Sequence, residues 1–191
     1  MSEAIETRDS LSRARQIGWA GTAIIVIGAG AAALPLIEWA SGSLLIGSLL
    51  VVAGLIEMLA GALRRAIPYL AMSAGGVTVL AGLLFLLEPV VHFTPVIYII
   101  VAWLILRSAI LFVASPWSRP PVRFWMFVSA ATDLILALLL LAGLSIATIV
   151  VLFFGPTREF VASFAWVLAL SFAGTGLLLL NVASCERRTS T

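Results

Sequence analysis

The feature that most constrains this chain is a series of long apolar segments separated by short polar or proline-containing breaks. One bilayer span needs about 20 mostly apolar residues. Six such segments fit into the 191 residues, at 17–37, 44–63, 69–87, 95–114, 124–143 and 163–183. Only 10% of the residues are charged, against about 25% in a soluble domain. We therefore expect an all-α, polytopic membrane protein with about six transmembrane helices.

These segments leave little chain outside the membrane. We expect residues 1–16 to form an N-terminal cytoplasmic tail, residues 17–184 a six-helix transmembrane domain, and residues 185–191 a C-terminal cytoplasmic tail. The fifth apolar run continues to residue 154, and as one helix it would be about 46 Å long, longer than a hydrocarbon core of about 30 Å. The fifth span is therefore expected to end near Gly143, and the structure of residues 145–162 stays open.

The basic residues predict the orientation of the chain. All eleven are arginine, and in a six-span arrangement nine of them fall on one side: Arg8, Arg13, Arg15, Arg64, Arg65, Arg119, Arg123, Arg187 and Arg188. Because loops rich in Lys and Arg stay in the cytoplasm, both termini are predicted to be cytoplasmic. The arginines are scattered in ones and twos and form no patch, so a nucleic-acid partner is not expected.

A repeat of 54 residues relates the first four spans. The pattern Gly-x6-Gly-x6-Pro occurs at Gly21, Gly28 and Pro35 and again at Gly75, Gly82 and Pro89. A third copy is degraded, since Gly143 stands where the proline is expected and an insertion must follow it. The sequence thus predicts three repeated helical hairpins.

Glycines recur along the predicted spans at intervals of seven residues, which keeps them on one side of a helix. Small residues let helices approach closely in lipid, where burial of apolar surface no longer drives association. We interpret seven of them as packing positions: Gly21, Gly28, Gly47, Gly54, Gly61, Gly75 and Gly82. The alternative interpretation is that they are hinges of a moving transporter.

Three charged residues lie inside the predicted spans, namely Glu57, Arg107 and Asp133. At about 1.5 Å per residue they lie roughly 9 to 13 Å from the cytoplasmic ends of their helices, at similar heights. Buried ionisable groups in a membrane are costly unless they are paired or hydrated, so these residues are candidates for function.

The hypothesis is that Arg107 pairs with Glu57, with Asp133 or with both. The formal charges sum to −1, so the cluster could bind a proton as the pH falls and act as an acid sensor. The alternative is a static tether between helices, with Arg107 extending toward the membrane surface. Several aromatic residues near the expected membrane surfaces, among them Tyr69, Trp103 and Trp117, are interpreted as interfacial anchors.

The layout resembles a known family of membrane proteins. The glycines and proline that end the first span, Gly21, Gly28 and Pro35, are followed in the second span by Gly54-Leu55-Ile56-Glu57, a glycine with an apolar, acid-containing turn. Over about residues 17–184 this arrangement resembles the HdeD-type family of small bacterial membrane proteins linked to acid resistance. The resemblance implies a six-span protein of the bacterial inner membrane that is associated with acid stress.

Motifs for catalysis are not found in the sequence. It contains no HExxH helix, no GxxxxGK[ST] phosphate loop and no GxSxG turn, so we expect no enzymatic activity, no cofactor and no metal site. The expected partners are the lipid bilayer and a membrane or periplasmic protein, and an oligomer is left open. The alternative function is that of a small transporter or channel which uses the cluster of Glu57, Arg107 and Asp133 as its site.

Overall fold

The structure, a computed structural model, describes residues 2–33, 42–64, 67–87, 96–142 and 159–188. Six long helices account for most of these residues: α1 (Ser2–Ala33), α2 (Gly42–Ala62), α3 (Pro68–Leu86), α4 (Val96–Ala114), α5 (Pro120–Leu141) and α6 (Glu159–Arg188). A single turn of 3-10 helix, Ser115–Trp117, connects α4 to α5. All regular structure in the described residues is helical, which confirms the predicted fold class.

Each of the six helices contains a segment long and apolar enough to cross a bilayer. The outer surface of the bundle carries large apolar side chains, and Leu59, Val26 and Leu80 are 67%, 64% and 58% exposed. A soluble protein rarely exposes a large continuous apolar surface, whereas a bilayer surrounds such a surface with hydrocarbon. The chain is therefore an integral membrane protein.

Helix boundaries differ from the prediction mainly at the polar ends. Helix α1 begins at Ser2, so the described part of the predicted N-terminal tail is helical and continuous with the first span. Glu, Arg and Ala favour helix even where lipid is no longer present, and no proline interrupts residues 2–33. Helix α5 begins at Pro120, since proline suits the first turn of a helix. Of the uncertain stretch 145–162, only residues 159–162 are described, as the first turn of α6.

The helices form a closed ring. Each one packs against the next along the chain, and α6 packs against α1. The most extensive contacts join α2 to α3 and α6 to α1. We refer to α2–α3, α6–α1 and α4–α5 as the three helix pairs. Each pair joins the second helix of one predicted hairpin to the first helix of another.

Glycines lie at the closest approaches within two of these pairs. A Cβ atom on Gly54 would lie 2.7 Å from the backbone nitrogen of Val79, and one on Gly75 would lie 2.6 Å from that of Met58. In the pair α6–α1, a Cβ on Gly21 would lie 2.9 Å from the carbonyl oxygen of Gly176. All seven glycines noted in the sequence lie against a neighbouring helix in this way, including Gly28, Gly47, Gly61 and Gly82. These contacts fix how closely the backbones approach.

Replacing Gly75 with alanine is expected to destabilise the protein, and replacing the adjacent Gly76 is not. The methyl group at residue 75 would press on the backbone of α2, and overpacking of this kind costs about 1–3 kcal/mol. At residue 76 no atom lies within 4 Å of the added carbon, and alanine favours helix over glycine by up to about 1 kcal/mol. Thermal unfolding of the two variants in detergent measures the difference, and equal midpoints would contradict the packing role of Gly75.

Candidate functional site

The repeat explains why Arg107 lies in the middle of the bundle. A shift of 54 residues carries Ala53 of α2 onto Arg107 of α4, and both residues are buried. Thr175 is the corresponding residue of α6, because the glycine that follows it, Gly176, contacts α1 as Gly54 contacts α3. Arg107 of the fourth helix and Thr175 of the sixth helix therefore occupy corresponding positions, and a hydrogen bond joins them.

Arg107 is fully buried and contacts residues of three other helices. Its Nη2 donates a hydrogen bond to Glu57 Oε1 of α2 at 3.0 Å and another to Thr175 Oγ1 of α6. Its Nη1 donates to Asp133 Oδ2 of α5 and to Ser171 Oγ of α6, the latter at 3.2 Å. One guanidinium group thus connects α4 to α2, α5 and α6.

The hydroxyl groups of α6 complete the network around Asp133. Ser171 donates a hydrogen bond to Asp133 Oδ1 at 2.7 Å, so both carboxylate oxygens of Asp133 have a donor. Thr175 donates to the carbonyl oxygen of Ser171 at 2.9 Å while it accepts from Arg107. We call Glu57, Arg107, Asp133, Ser171 and Thr175 the central cluster.

Burial makes the charges of the central cluster dependent on one another. Arg107 and Asp133 are 0% exposed and Glu57 is 8% exposed. Charges removed from water are tolerated only when they are paired and hydrogen-bonded, and loss of one partner leaves an uncompensated buried charge. Two carboxylates here share one guanidinium, and the formal sum over these three groups is −1.

A second arginine lies near the cluster, at the arginine-rich end of α2. Arg64 follows Glu57 by seven residues and lies two residues after the last residue of α2, Ala62. It is half-buried and lies beyond the α2 span. Burial lowers the pKa of Arg64, and the negative charge of nearby Glu57 opposes that change. Glu57 is thus paired with Arg107 and lies near a second arginine, Arg64.

Trp103 extends the polar contacts to α3. Its ring nitrogen donates a hydrogen bond to Thr78 Oγ1 at 3.1 Å, and its ring meets that of Phe172 edge-to-face. Trp103 is 3% exposed, so its interpretation as an interfacial anchor was wrong. Tyr69 and Trp117, by contrast, are 85% and 62% exposed near helix ends.

The structure brings together all three charged residues that the sequence singled out, and it adds two that the sequence analysis missed. Ser171 and Thr175 are four residues apart, a spacing that places both side chains on one side of α6. This pair of hydroxyl groups within an apolar span is the signal that could have identified them. Within the described residues no three His, Cys, Asp or Glu side chains are grouped so that they could hold a metal ion.

No family model, no curated protein and no solved structure matches this chain. The interpretation of the central cluster therefore depends on its own geometry and charge. Its groups are two carboxylates, one guanidinium and two hydroxyls, held at the junction of four helices. Such a set can gain a proton on a carboxylate and can change which helices its ion pairs connect.

Proposed function

We propose that this protein is a non-enzymatic, multi-pass protein of the bacterial inner membrane, of HdeD type, that supports survival under acid or general stress. In this proposal the central cluster binds a proton when the pH falls. The observation that carries it is the sharing of the Arg107 guanidinium by Glu57 and Asp133 inside the bundle. The resemblance of the repeated glycine and proline pattern to the HdeD-type family supports the link to acid stress.

The chemistry of the cluster gives the direction of the response. Low dielectric favours the neutral form of a carboxyl group, whereas a nearby cation favours the ionised form. In the central cluster two carboxylates share one arginine. Acidification favours addition of a proton to one carboxylate, and the guanidinium then keeps a single ion pair. The proton would therefore weaken one of the two ion pairs that connect α4 to α2 and to α5.

In this proposal the cluster senses the pH of the cytoplasm. The positive-inside rule places the arginine-rich end of the bundle in the cytoplasm. Glu57 lies five residues before the C-terminal end of α2, which is about 8 Å along the helix axis from that end. The cluster would therefore respond to cytoplasmic pH. A membrane or periplasmic protein partner would receive the signal.

The alternative function, a small transporter or channel, has less support. A transport site must exchange its ligand with water on each side of the membrane in turn. Arg107, Asp133 and Ser171 are each at most 1% exposed. Internal repeats are common in transporters, but this burial favours a switch between helices over a conducting path.

Acid survival of a deletion strain tests the proposal. The strain is complemented with the wild-type chain, with Asp133→Asn, with Glu57→Gln, or with Glu186→Gln, which removes a carboxylate outside the cluster. We expect the wild type and Glu186→Gln to restore survival and the two cluster variants to fail at equal membrane levels. Full rescue by both cluster variants would show that protonation of these carboxylates is not needed, and no effect of the deletion would remove the link to acid stress.

A further inference from the structure

Two of the three helix pairs are held by the same glycine contact. In α2–α3, the added carbon on Gly54 would lie 2.8 Å from the carbonyl oxygen of Gly75 and would also meet Val79. In α6–α1, the added carbon on Gly176 would lie 2.8 Å from the carbonyl oxygen of Gly21 and would also meet Ile25. Gly75 and Val79 correspond to Gly21 and Ile25 through the 54-residue shift.

The third pair, α4–α5, has different residues at every one of these positions. Ser108 corresponds to Gly54, Ser129 corresponds to Gly75, and Asp133 corresponds to Val79. Ser108 Oγ donates a hydrogen bond to the carbonyl oxygen of Ala130 at 2.9 Å, so a side chain lies between the backbones. The hydroxyl of Ser129 is buried and has no hydrogen-bond partner among the described residues.

An ion pair therefore takes the place of the glycine contact in α4–α5. Arg107, the neighbour of Ser108, reaches Asp133 across this interface. The contact between α4 and α5 is also less extensive than that within the other two pairs. In lipid, helices associate through close packing and polar contacts, because apolar surface gains nothing by leaving the hydrocarbon. A pair without close glycine packing depends more strongly on its polar contacts.

The three pairs should respond differently to a change of charge. Glycine-to-backbone contacts involve no group that titrates, so they do not change with pH. The Arg107–Asp133 contact does change if Asp133 is neutralised. The charged groups that face Asp133 are Arg107 from α4 and Glu57 from α2. From α6, among the described residues, only the hydroxyl groups of Ser171 and Thr175 reach the charged groups.

We infer that α4–α5 is the interface that opens when Asp133 of the central cluster gains a proton, while α2–α3 and α6–α1 move as rigid units. The inference rests on the proposed proton-binding role of the cluster, and it identifies the moving part of the bundle. Acidification would weaken the ion pair between Arg107 and Asp133 that connects α4 to α5. The turn between these helices lies at the predicted cytoplasmic end, where a membrane partner could detect the change.

Distances between spin labels at three equivalent pairs of positions test this inference in the purified full-length protein in lipid nanodiscs. Each label is attached to an exposed residue that comes directly after one of the corresponding contact residues described above. The labelled pairs are Leu55 with Leu80 for α2–α3, Leu177 with Val26 for α6–α1, and Ala109 with Leu134 for α4–α5. Cys185 is replaced with serine in every sample. Acidification from neutral pH to about pH 4 spans the ordinary titration range of carboxyl groups.

We expect acidification to broaden and lengthen the Ala109–Leu134 distance distribution and to leave the other two unchanged. Asp133→Asn should give the broadened Ala109–Leu134 distribution already at neutral pH. Equal changes in all three pairs, or none in Ala109–Leu134, would overturn the inference, as would an Asp133→Asn variant with the distribution of the wild type. These distances are measured on the purified protein and do not depend on acid survival. The opening of α4–α5 and the proposed acid-stress function are therefore tested separately.

Discussion

Replacing Arg107 with leucine is expected to destabilise the folded protein by about 3–5 kcal/mol, the usual cost of removing one partner from a buried ion pair. The variant would leave Glu57 and Asp133 buried without the guanidinium that now bonds to both. Leucine also cannot bond to the hydroxyl groups of Ser171 and Thr175, which now accept hydrogen bonds from Arg107. Thermal unfolding in detergent, followed by circular dichroism, measures the effect.

Arg119→Leu is the matched control for that substitution. Arg119 is exposed at the beginning of α5 and its side chain makes no capping hydrogen bond to the helix. Its replacement removes the same charge and adds the same side chain, and it should change the unfolding midpoint very little. If Arg107→Leu and Arg119→Leu unfolded at the same temperature as the wild type, the central cluster would not contribute to stability.

The second large effect is expected when all three charges are removed together. A variant that combines Glu57→Gln, Arg107→Met and Asp133→Asn buries no charge, so it avoids the desolvation that the charges impose. We expect it to recover most of the stability lost in Arg107→Leu, because replacing a whole buried ion network is often neutral or stabilising by about 1–4 kcal/mol. The triple variant should nevertheless fail to restore acid survival.

This combination separates a structural role of the charges from a functional one. A stable triple variant that fails in acid would mean that the charges are retained for their response to protons. A stable triple variant that rescues fully would favour the static tether that the sequence left open. If the triple variant were as unstable as Arg107→Leu, the loss in Arg107→Leu would come from packing of the arginine side chain and not from unpaired carboxylates.

The fold could be predicted because a bilayer imposes strict limits on length and polarity. A segment such as 95–114 must be helical to cross hydrocarbon, since every backbone group needs a partner there. Outside the hydrocarbon this limit no longer applies, and the apolar pattern does not predict where a helix begins. Helix α1 starts at Ser2 and not at Ile17, because the onset of apolar residues marks the membrane boundary and not the helix boundary.

The charged part of the site could be identified from the sequence, since Glu57, Arg107 and Asp133 are costly inside apolar spans. The hydroxyl residues are harder to identify one by one, because a threonine or serine in a helix can bond to the carbonyl group one turn earlier. Thr175 does so with Ser171, so its presence in a span carries little information. Only the four-residue spacing of Ser171 and Thr175 within an apolar span points to them. Which helices meet at the cluster depends on the closed ring, and the spacing of residues along one helix does not reveal the ring.

The most direct test of the central claim is the infrared difference spectrum of the purified protein in lipid between neutral pH and about pH 4. A carboxyl group that gains a proton in an apolar site produces a carbonyl stretching band distinct from that of a solvated acid. We predict such a band in the wild type, its loss or shift in Asp133→Asn or Glu57→Gln, and its absence in the triple variant. The same band in the wild type and in the triple variant would contradict proton binding by the central cluster.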